Sequence, residues 1–351
     1  MRRSLDAVMI LTCWLPALTS GTPPEQSPLY VSGEGGYHTY RIPAIVVSAR
    51  GTVLAFCEGR KTSAADDGDI DLLLRRSLDG GRTWGPQQLV HEEGGDRPIT
   101  IGNPCPIAAA DGTIHLLFCR DNRQAFSTVS TDEGATFSKP VEITGALRAF
   151  AFSFTRLGTG PGHGLLAASG RLLVPVWLND KIGKEYRSGV AYSDDGGKSW
   201  KAGGLVAADV RGLNEASVVE MPGGGLVTNM RNSQAKCRAV ATSADGGLHW
   251  GPPQLAEELV DPQCQGSLLR LPGSNPARLL FSNAAATARR RLTVRWSDDA
   301  GRTWSEGLLL HAGPSAYSDL AVAADGSFLC VYERGRKSPY EQMAVARWKP
   351  E

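Results

Sequence analysis

The 351-residue chain lacks most of the features that would assign it to a specialised environment. It has no charge excess: 37 basic and 36 acidic residues leave a net charge of +1. No nucleic acid and no anionic membrane is therefore expected as a partner, and any role for its arginines is local. It has no long hydrophobic run. The apolar stretch over residues 7–18 falls short of the about 20 residues that span a bilayer, so stable membrane insertion is not expected. No CxxC pair occurs among the seven cysteines, and His38, His91, His115, His163, His249 and His311 are dispersed. Neither pattern supplies a metal-ligand set, and no metal and no cofactor is expected. No linker, charge run or low-complexity tract divides the chain, and no long helical pattern appears.

What is present is turn chemistry. Gly (41) and Pro (21) are abundant, and 8 Trp, 8 Tyr and 9 Phe are scattered along the whole length, which suits one large all-β domain. At the N-terminus, Arg2 and Arg3 precede the apolar residues 7–18, and the small residues Thr19, Ser20 and Gly21 follow. This order predicts a signal peptide over 1–21 and export to the periplasm or medium, although Asp6 and Pro16 sit awkwardly in it. A short Pro-rich lead-in over 22–28 and one domain over 29–351 complete the expected organisation. Cys13 would leave with the signal. Export permits disulfides, yet several of Cys57, Cys105, Cys119, Cys237, Cys264 and Cys330 lie in apolar runs, where a cysteine behaves as a small hydrophobe. Mostly free, buried thiols are expected.

Five segments share the pattern S-x-D-x-G-x-[TS]-[WF], with one variant. They begin at Ser77, Ser130, Ser193, Ser243 and Ser297 and end at Trp84, Phe137, Trp200, Trp250 and Trp304; His249 replaces the hydroxyl residue in the fourth. Each is a β-turn in which the aspartate accepts bonds from the backbone after it and a glycine takes positive φ. Alternating apolar runs such as residues 71–76 and 292–296 flank the copies. The starts lie 53, 63, 50 and 54 residues apart, the period of a four-stranded propeller blade. The length after the signal divides into six. The expected fold is a six-bladed β-propeller of four-stranded antiparallel blades.

The repeated turn resembles the Asp-box of the sialidases, and further segments in order along the chain extend that resemblance to the bacterial-type family. Tyr40-Arg41-Ile42-Pro43 resembles the family's YRIP motif; alone it is a chance string, but ahead of five in-phase turns it is specific. The resemblance implies that Arg41 binds the substrate carboxylate, that Arg60, in Ala55-Phe56-Cys57-Glu58-Gly59-Arg60, approaches the 4-hydroxyl, and that Asp66 is the acid/base on a flexible loop. It makes Glu215, in Asn214-Glu215-Ala216-Ser217, the partner of the nucleophile. Arg231 becomes the second clamp arginine and Arg289 the third, with Arg291 the alternative, since alternation along a strand would put both on one face. Tyr317, in Pro314-Ser315-Ala316-Tyr317-Ser318, becomes the nucleophile, and Glu333 braces Arg41. Asn103 and Gln265 are implied as pocket residues, and Asp96, Trp177 and Tyr186 are weaker candidates. The repeated aspartates are read as structural.

These residue types fit the substrate that the resemblance implies. Sialic acid carries a carboxylate at its anomeric carbon, so recognition needs fixed guanidinium groups. The same charge would repel a carboxylate nucleophile, and sialidases are the known tyrosine exception among glycosidases. A phenol needs a base, because its ordinary pKa is about 10. The implied activity is exo-α-sialidase: retaining hydrolysis of terminal sialic acids from sialylated glycoconjugates by a monomeric enzyme. A non-catalytic sialic-acid-binding propeller would lack the acid, base or nucleophile. A trans-sialidase would share every catalytic residue.

Overall fold

The computed structural model describes residues 23–95, 97–180, 183, 185–274 and 276–349. The signal peptide expected over 1–21, with Cys13, and the candidate Asp96 lie outside the described residues. Among these residues the structure is all-β, with one four-residue helix at Thr144–Leu147. The strands form antiparallel sheets arranged as a propeller. The first sheet holds Thr39–Val47, Val53–Arg60, Ile70–Ser77 and Gln88–His91 in chain order. The second holds Ile101–Ala108, Ile114–Arg120, Gln124–Ser130 and Val141–Glu142. In the third, Arg156–Thr159 and Leu165–Leu166 both pair with Leu172–Asn179, followed by Tyr186–Ser193 and Lys201–Leu205. The fourth holds Leu213–Glu220, Leu226–Asn232, Cys237–Ser243 and Gln254–Val260.

The remaining sheet has seven strands, running from Ser267–Arg270 through Leu279–Ala284, Arg290–Ser297, Leu308–Val322, Phe328–Arg334 and Gln342–Trp348 to Glu25–Val31. Its central strand, Leu308–Val322, changes partner along its length. Residues up to Pro314 pair with Arg290–Ser297, and residues from Ser315 pair with Phe328–Arg334. Glu25–Val31 pairs antiparallel with Gln342–Trp348. The lead-in expected over 22–28 therefore gives way to a strand at Glu25. Pro28 is tolerated there because the strand is at a sheet edge and its register shifts between Pro28 and Tyr30.

Packing explains why inner strands such as TYRIPAIVV are buried at nearly every position rather than at every second one. The two faces of a sheet are covered by its two different neighbours, as for the first sheet. Leu54, Phe56 and Leu74 of the first sheet pack on Ile101, Leu116 and Phe118 of the second. Leu173 and Val190 meet Val218 and Leu226, and Val219 meets Leu268, Leu279 and Phe281. Ile45, Val53 and Ala55 return to Ala321, Leu329 and Val331 of the seven-stranded sheet. Six cysteines, from Cys57 to Cys330, are free and buried.

The antiparallel register separates the two ends of the sheets. Val53 pairs with Ser77 at one end, whereas Thr39, Arg60 and Ile70 align at the other. The repeated turns therefore leave from the first end. In each, the serine hydroxyl bonds the aspartate, as Ser77 does Asp79 at 2.7 Å. The aspartate also binds the backbone amide four residues on, at Thr83, Thr136, Ser199, His249 and Thr303, each at 2.9 Å. His249 replaces the hydroxyl by donating Nδ1 to Asp245 Oδ2 at 2.6 Å.

Candidate active site

The opposite end collects the residues singled out in the sequence, because the first strand of a sheet starts there and the second ends there. Arg41, Asn103 and Glu215 lie near the starts of first strands; Arg60, Arg231 and Glu333 lie near the ends of second strands. Four inner strands share a further device. Their register shifts between Arg41 and Ala44, Gly102 and Cys105, Leu213 and Ala216, and Ser315 and Ser318, each with one extra residue against the partner strand. These β-bulges hold Ile42-Pro43, Asn103-Pro104, Asn214-Glu215 and Ala316-Tyr317. A bulge re-aims side chains next to a site, and the two prolines cost no ladder bond where the ladder is already broken.

Two buried glutamates satisfy the amides that these bulges release. Glu333 accepts from Ile42 N at 2.9 Å and from Tyr317 N at 3.1 Å. Glu58 accepts from Asn103 N at 2.9 Å. Ile42 and Asn103 have φ of +62° and +56°; for β-branched Ile42 this is strained backbone, held by the Glu333 bond. A Cβ at Gly102 would collide with Glu58 Oε1, which explains glycine there. The same glutamates neutralise arginines. Arg41 Nε and Nη2 reach Glu333 at 3.1 and 3.4 Å, and Arg60 Nε and Nη2 reach Glu58 Oε2 at 3.1 and 2.7 Å. A buried guanidinium needs such a partner to stay charged in place.

Tyr317 stands at the centre. Its hydroxyl donates to Glu215 Oε1 at 2.6 Å, and Arg231 Nη1 donates to Glu215 Oε2 at 2.7 Å and to the Tyr317 oxygen at 3.0 Å. Burial and the Glu215 charge push the Tyr317 phenol well above its ordinary value, against the opposing pull of Arg231 and Arg289. Tyr317 is thus a neutral donor at rest, with Glu215 as its acceptor. Arg41 lies 5.1 Å from the Tyr317 ring centre and Arg289 lies 5.5 Å from it.

Asp66 sits on the segment 61–69 between Val53–Arg60 and Ile70–Ser77. Its Oδ1 accepts from Arg41 Nη1 at 3.1 Å and from Arg60 Nη1 at 2.8 Å, while its side chain is 79% exposed. Desolvation raises its carboxyl, but Arg41 and Arg60, with Arg289, outweigh that and hold it below the ordinary aspartate value. Arg60, Asp66, Asn103, Trp177, Tyr186, Glu215, Arg231 and Tyr317 all line one cavity of about 230 Å³.

Other sequence candidates take different places. Glu333 is fully buried behind Arg41. Gln265 is buried beneath the Tyr317 segment, where its Oε1 accepts from Ser318 N at 3.1 Å. Arg289 donates to the Tyr340 hydroxyl at 2.6 Å. Arg291, expected on the same face as Arg289, is exposed instead, because the register with Leu308–Val322 shifts between Arg290 and Leu292 and Arg291 takes φ +62°. Sequence reasoning missed Tyr340, which also lies under Arg41 at 4.2 Å, and no local pattern marks it. It also passed over Glu58, whose two-residue spacing from Arg60 puts both on one strand face, and Asn122, which accepts from Asn103 Nδ2 at 2.6 Å.

The class comes first: the family model of a BNR repeat-like domain matches residues 51–330. Named relatives narrow it. The chain is 33% identical over 361 residues to a sialidase of Micromonospora viridifaciens, covering 92% of this chain and 55% of that one. It is 31% identical over 338 residues to an exo-alpha-sialidase of Aspergillus fumigatus, covering 85% of this chain and 79% of that one. Among solved structures, a Hadza microbial sialidase superposes with a TM-score of 0.84 at 27% identity, over 92% of this chain and 68% of that one. The Trypanosoma rangeli sialidase in complex with 2,3-difluorosialic acid, described as a covalent intermediate, shares the fold at TM-score 0.78 and 20% identity, over 95% of this chain and 59% of that one. The chain belongs to the sialidase family of glycoside hydrolases. It spans only about half the length of the Micromonospora relative. No helix among the described residues is long and apolar enough to cross a membrane.

Proposed function

We propose that this protein is an exo-α-sialidase that releases terminal sialic acid from sialylated glycoconjugates with retention of configuration. The observation that carries the reading is the Tyr317 hydroxyl hydrogen-bonded to Glu215 at 2.6 Å, with Arg231 on both groups. Arg41, Arg231 and Arg289 hold the sugar carboxylate. Glu215 takes the phenol proton as Tyr317 attacks the anomeric carbon, and Asp66 protonates the departing oxygen and then activates water. Arg60, Asn103, Trp177 and Tyr186 shape the sugar pocket. Glu333 and Gln265 position Arg41 and the Tyr317 segment without touching sugar. The covalent intermediate described for the Trypanosoma rangeli sialidase is the parallel for a tyrosyl-linked step.

The same reading takes the seven-stranded sheet as two blades sharing Leu308–Val322, for six blades in one domain, closed by Glu25–Val31. The partner change within Leu308–Val322 supports it. Export rests on residues 1–21 of the sequence, and a monomeric enzyme is expected. The test is incubation of purified protein with a fluorogenic α-sialoside and linkage-defined sialyl-lactoses, followed by trapping with 2,3-difluorosialic acid and peptide mass spectrometry. Release of sialic acid and a sugar adduct on the peptide carrying Tyr317 are expected. No release from any substrate would leave a sialic-acid-binding propeller, and an adduct on another residue would remove Tyr317 from its role.

A further inference from the structure

Arg41 presents two edges of its guanidinium. Nε and Nη2 engage Glu333, at 3.1 and 3.4 Å. The edge that remains for a second bidentate carboxylate is Nη1 with Nη2, and Asp66 Oδ1 lies 3.1 Å from Nη1. The group read above as the acid thus holds the same donor as the sugar carboxylate that Arg41 is read to bind. Two carboxylates on one edge repel, and the pair keeps a proton between them or one partner leaves. Asp66 is the partner free to change. It sits on a loop with its side chain 79% exposed, whereas Glu333 is fully buried and tied to two backbone amides.

Arg60 is the other contact of Asp66, and like Arg41 it is paired with a buried glutamate. Its Nε and Nη2 lie on Glu58, and its Nη1 also reaches the carbonyls of Ala64 and Ala65 at 2.6 and 2.8 Å. Arg60 can therefore keep Asp66 near the reacting bond by hydrogen bonding, at 2.8 Å, once Arg41 is taken. The other charged groups around Asp66 are Glu58, Glu215 and Arg231 in the sugar cavity, and Asp67, Asp121, Arg123 and Arg156 in the depression on its far side. Arg289 acts on it from a longer range.

We propose that the substrate's own carboxylate arms the acid: by taking Arg41 it displaces Asp66, which then binds a proton from solvent and delivers that proton to the leaving oxygen. Recognition of the acidic sugar and readiness of the general acid are one event in this scheme, and a neutral sugar in the pocket would leave Asp66 ionised. The inference rests on the reading of Asp66 as acid in the preceding section.

The test is calorimetric titration of the full chain with the unsaturated sialic acid analogue DANA, in buffers of different ionisation enthalpy, between about pH 4 and pH 7. Wild type should take up close to one proton per ligand at a pH between the free and bound values, and Asp66→Asn and Asp66→Ala should lose that uptake. The methyl ester of DANA should bind without it. Binding with no proton uptake, or uptake unchanged in both variants, overturns the proposal while leaving the enzyme reading intact. Absence of any binding heat overturns both. In turnover, the alkaline limb of kcat should lie at higher pH than that of kcat/KM, since the two report bound and free enzyme. Coincident limbs would also overturn it.

Discussion

The two ends of the sheets satisfy their carboxylates in opposite ways. At the turn end, each repeated aspartate is satisfied by its own turn, through the serine two residues before it and the amide four residues after it. Hydrogen bonds from the residue four positions on hold Asp79, Asp132, Asp195 and Asp245 far below ordinary aspartate values. At the cavity end, Glu58 meets Arg60 within one strand, but other carboxylates meet arginines from other strands: Glu333 meets Arg41 and Glu215 meets Arg231. The turn end is local and repeated, so it carries shape. The cavity end is assembled largely from distant segments, each different, and it is where the proposed chemistry sits.

The largest effect should separate the ends outright. Tyr317→Phe and Glu215→Gln should each lower kcat on the order of 10³-fold or more, with an unchanged circular dichroism spectrum. A variant that keeps near-wild-type turnover would end the claim that chemistry resides at that end. Next, Glu333→Gln should lower both turnover and stability, because it strips a fully buried partner from Arg41 and weakens the support of two bulge amides. Removing one member of such a pair costs about 3–5 kcal/mol, readable in urea unfolding. Full stability with lost turnover would make Glu333 a site residue alone rather than the link between fold and site.

The turn end should respond the other way. Asp79→Ala should lower the unfolding midpoint by a few degrees at most and leave kcat/KM within about twofold, since loss of one local bond network is a modest change. A strong loss of activity would show that the ends communicate. The smallest effect concerns the axis between them, where His163 Nδ1 lies 2.7 Å from Asp319, which also binds Ile45 N and Ser267. Burial lowers the His163 pKa, but Asp319 outweighs it and raises the net value above 6.5. A raised folded value stabilises fully below the unfolded pKa of about 6.5 and is lost as pH rises through the folded one. Thermal stability should therefore decline above neutral pH in wild type and flatten in His163→Gln. An identical pH slope in the two proteins would remove the His163 charge from this account.

This contrast also explains what could be read from sequence. The turns were legible because every bond in them spans a few residues, so the pattern and the physics coincide. Arg41, Glu215 and Tyr317 were picked out by resemblance, since nothing within their own segments says that Arg41 meets Glu333 across 292 residues. Bulges were invisible to a two-residue period, which is why alternation put Arg291 beside Arg289 and the structure does not. Tyr340 had no signal. It follows a short segment that folds on Glu341, whose carboxylate accepts from the amides of Arg336, Lys337 and Ser338, and only that fold brings its ring under Arg41.

The pairing of Glu25–Val31 with Gln342–Trp348 sets an order in time. The strand made early in synthesis has no partner until residues near the end of the chain exist, as Glu25 faces Arg347. Arg41 likewise waits for Glu333. Long-range pairing of this kind slows folding, and here it means that a nascent or C-terminally truncated chain has an open last sheet and an unbraced clamp. Most of the sheets can form as they are synthesised, whereas Arg41 gains its buried partner only when Phe328–Arg334 has been made.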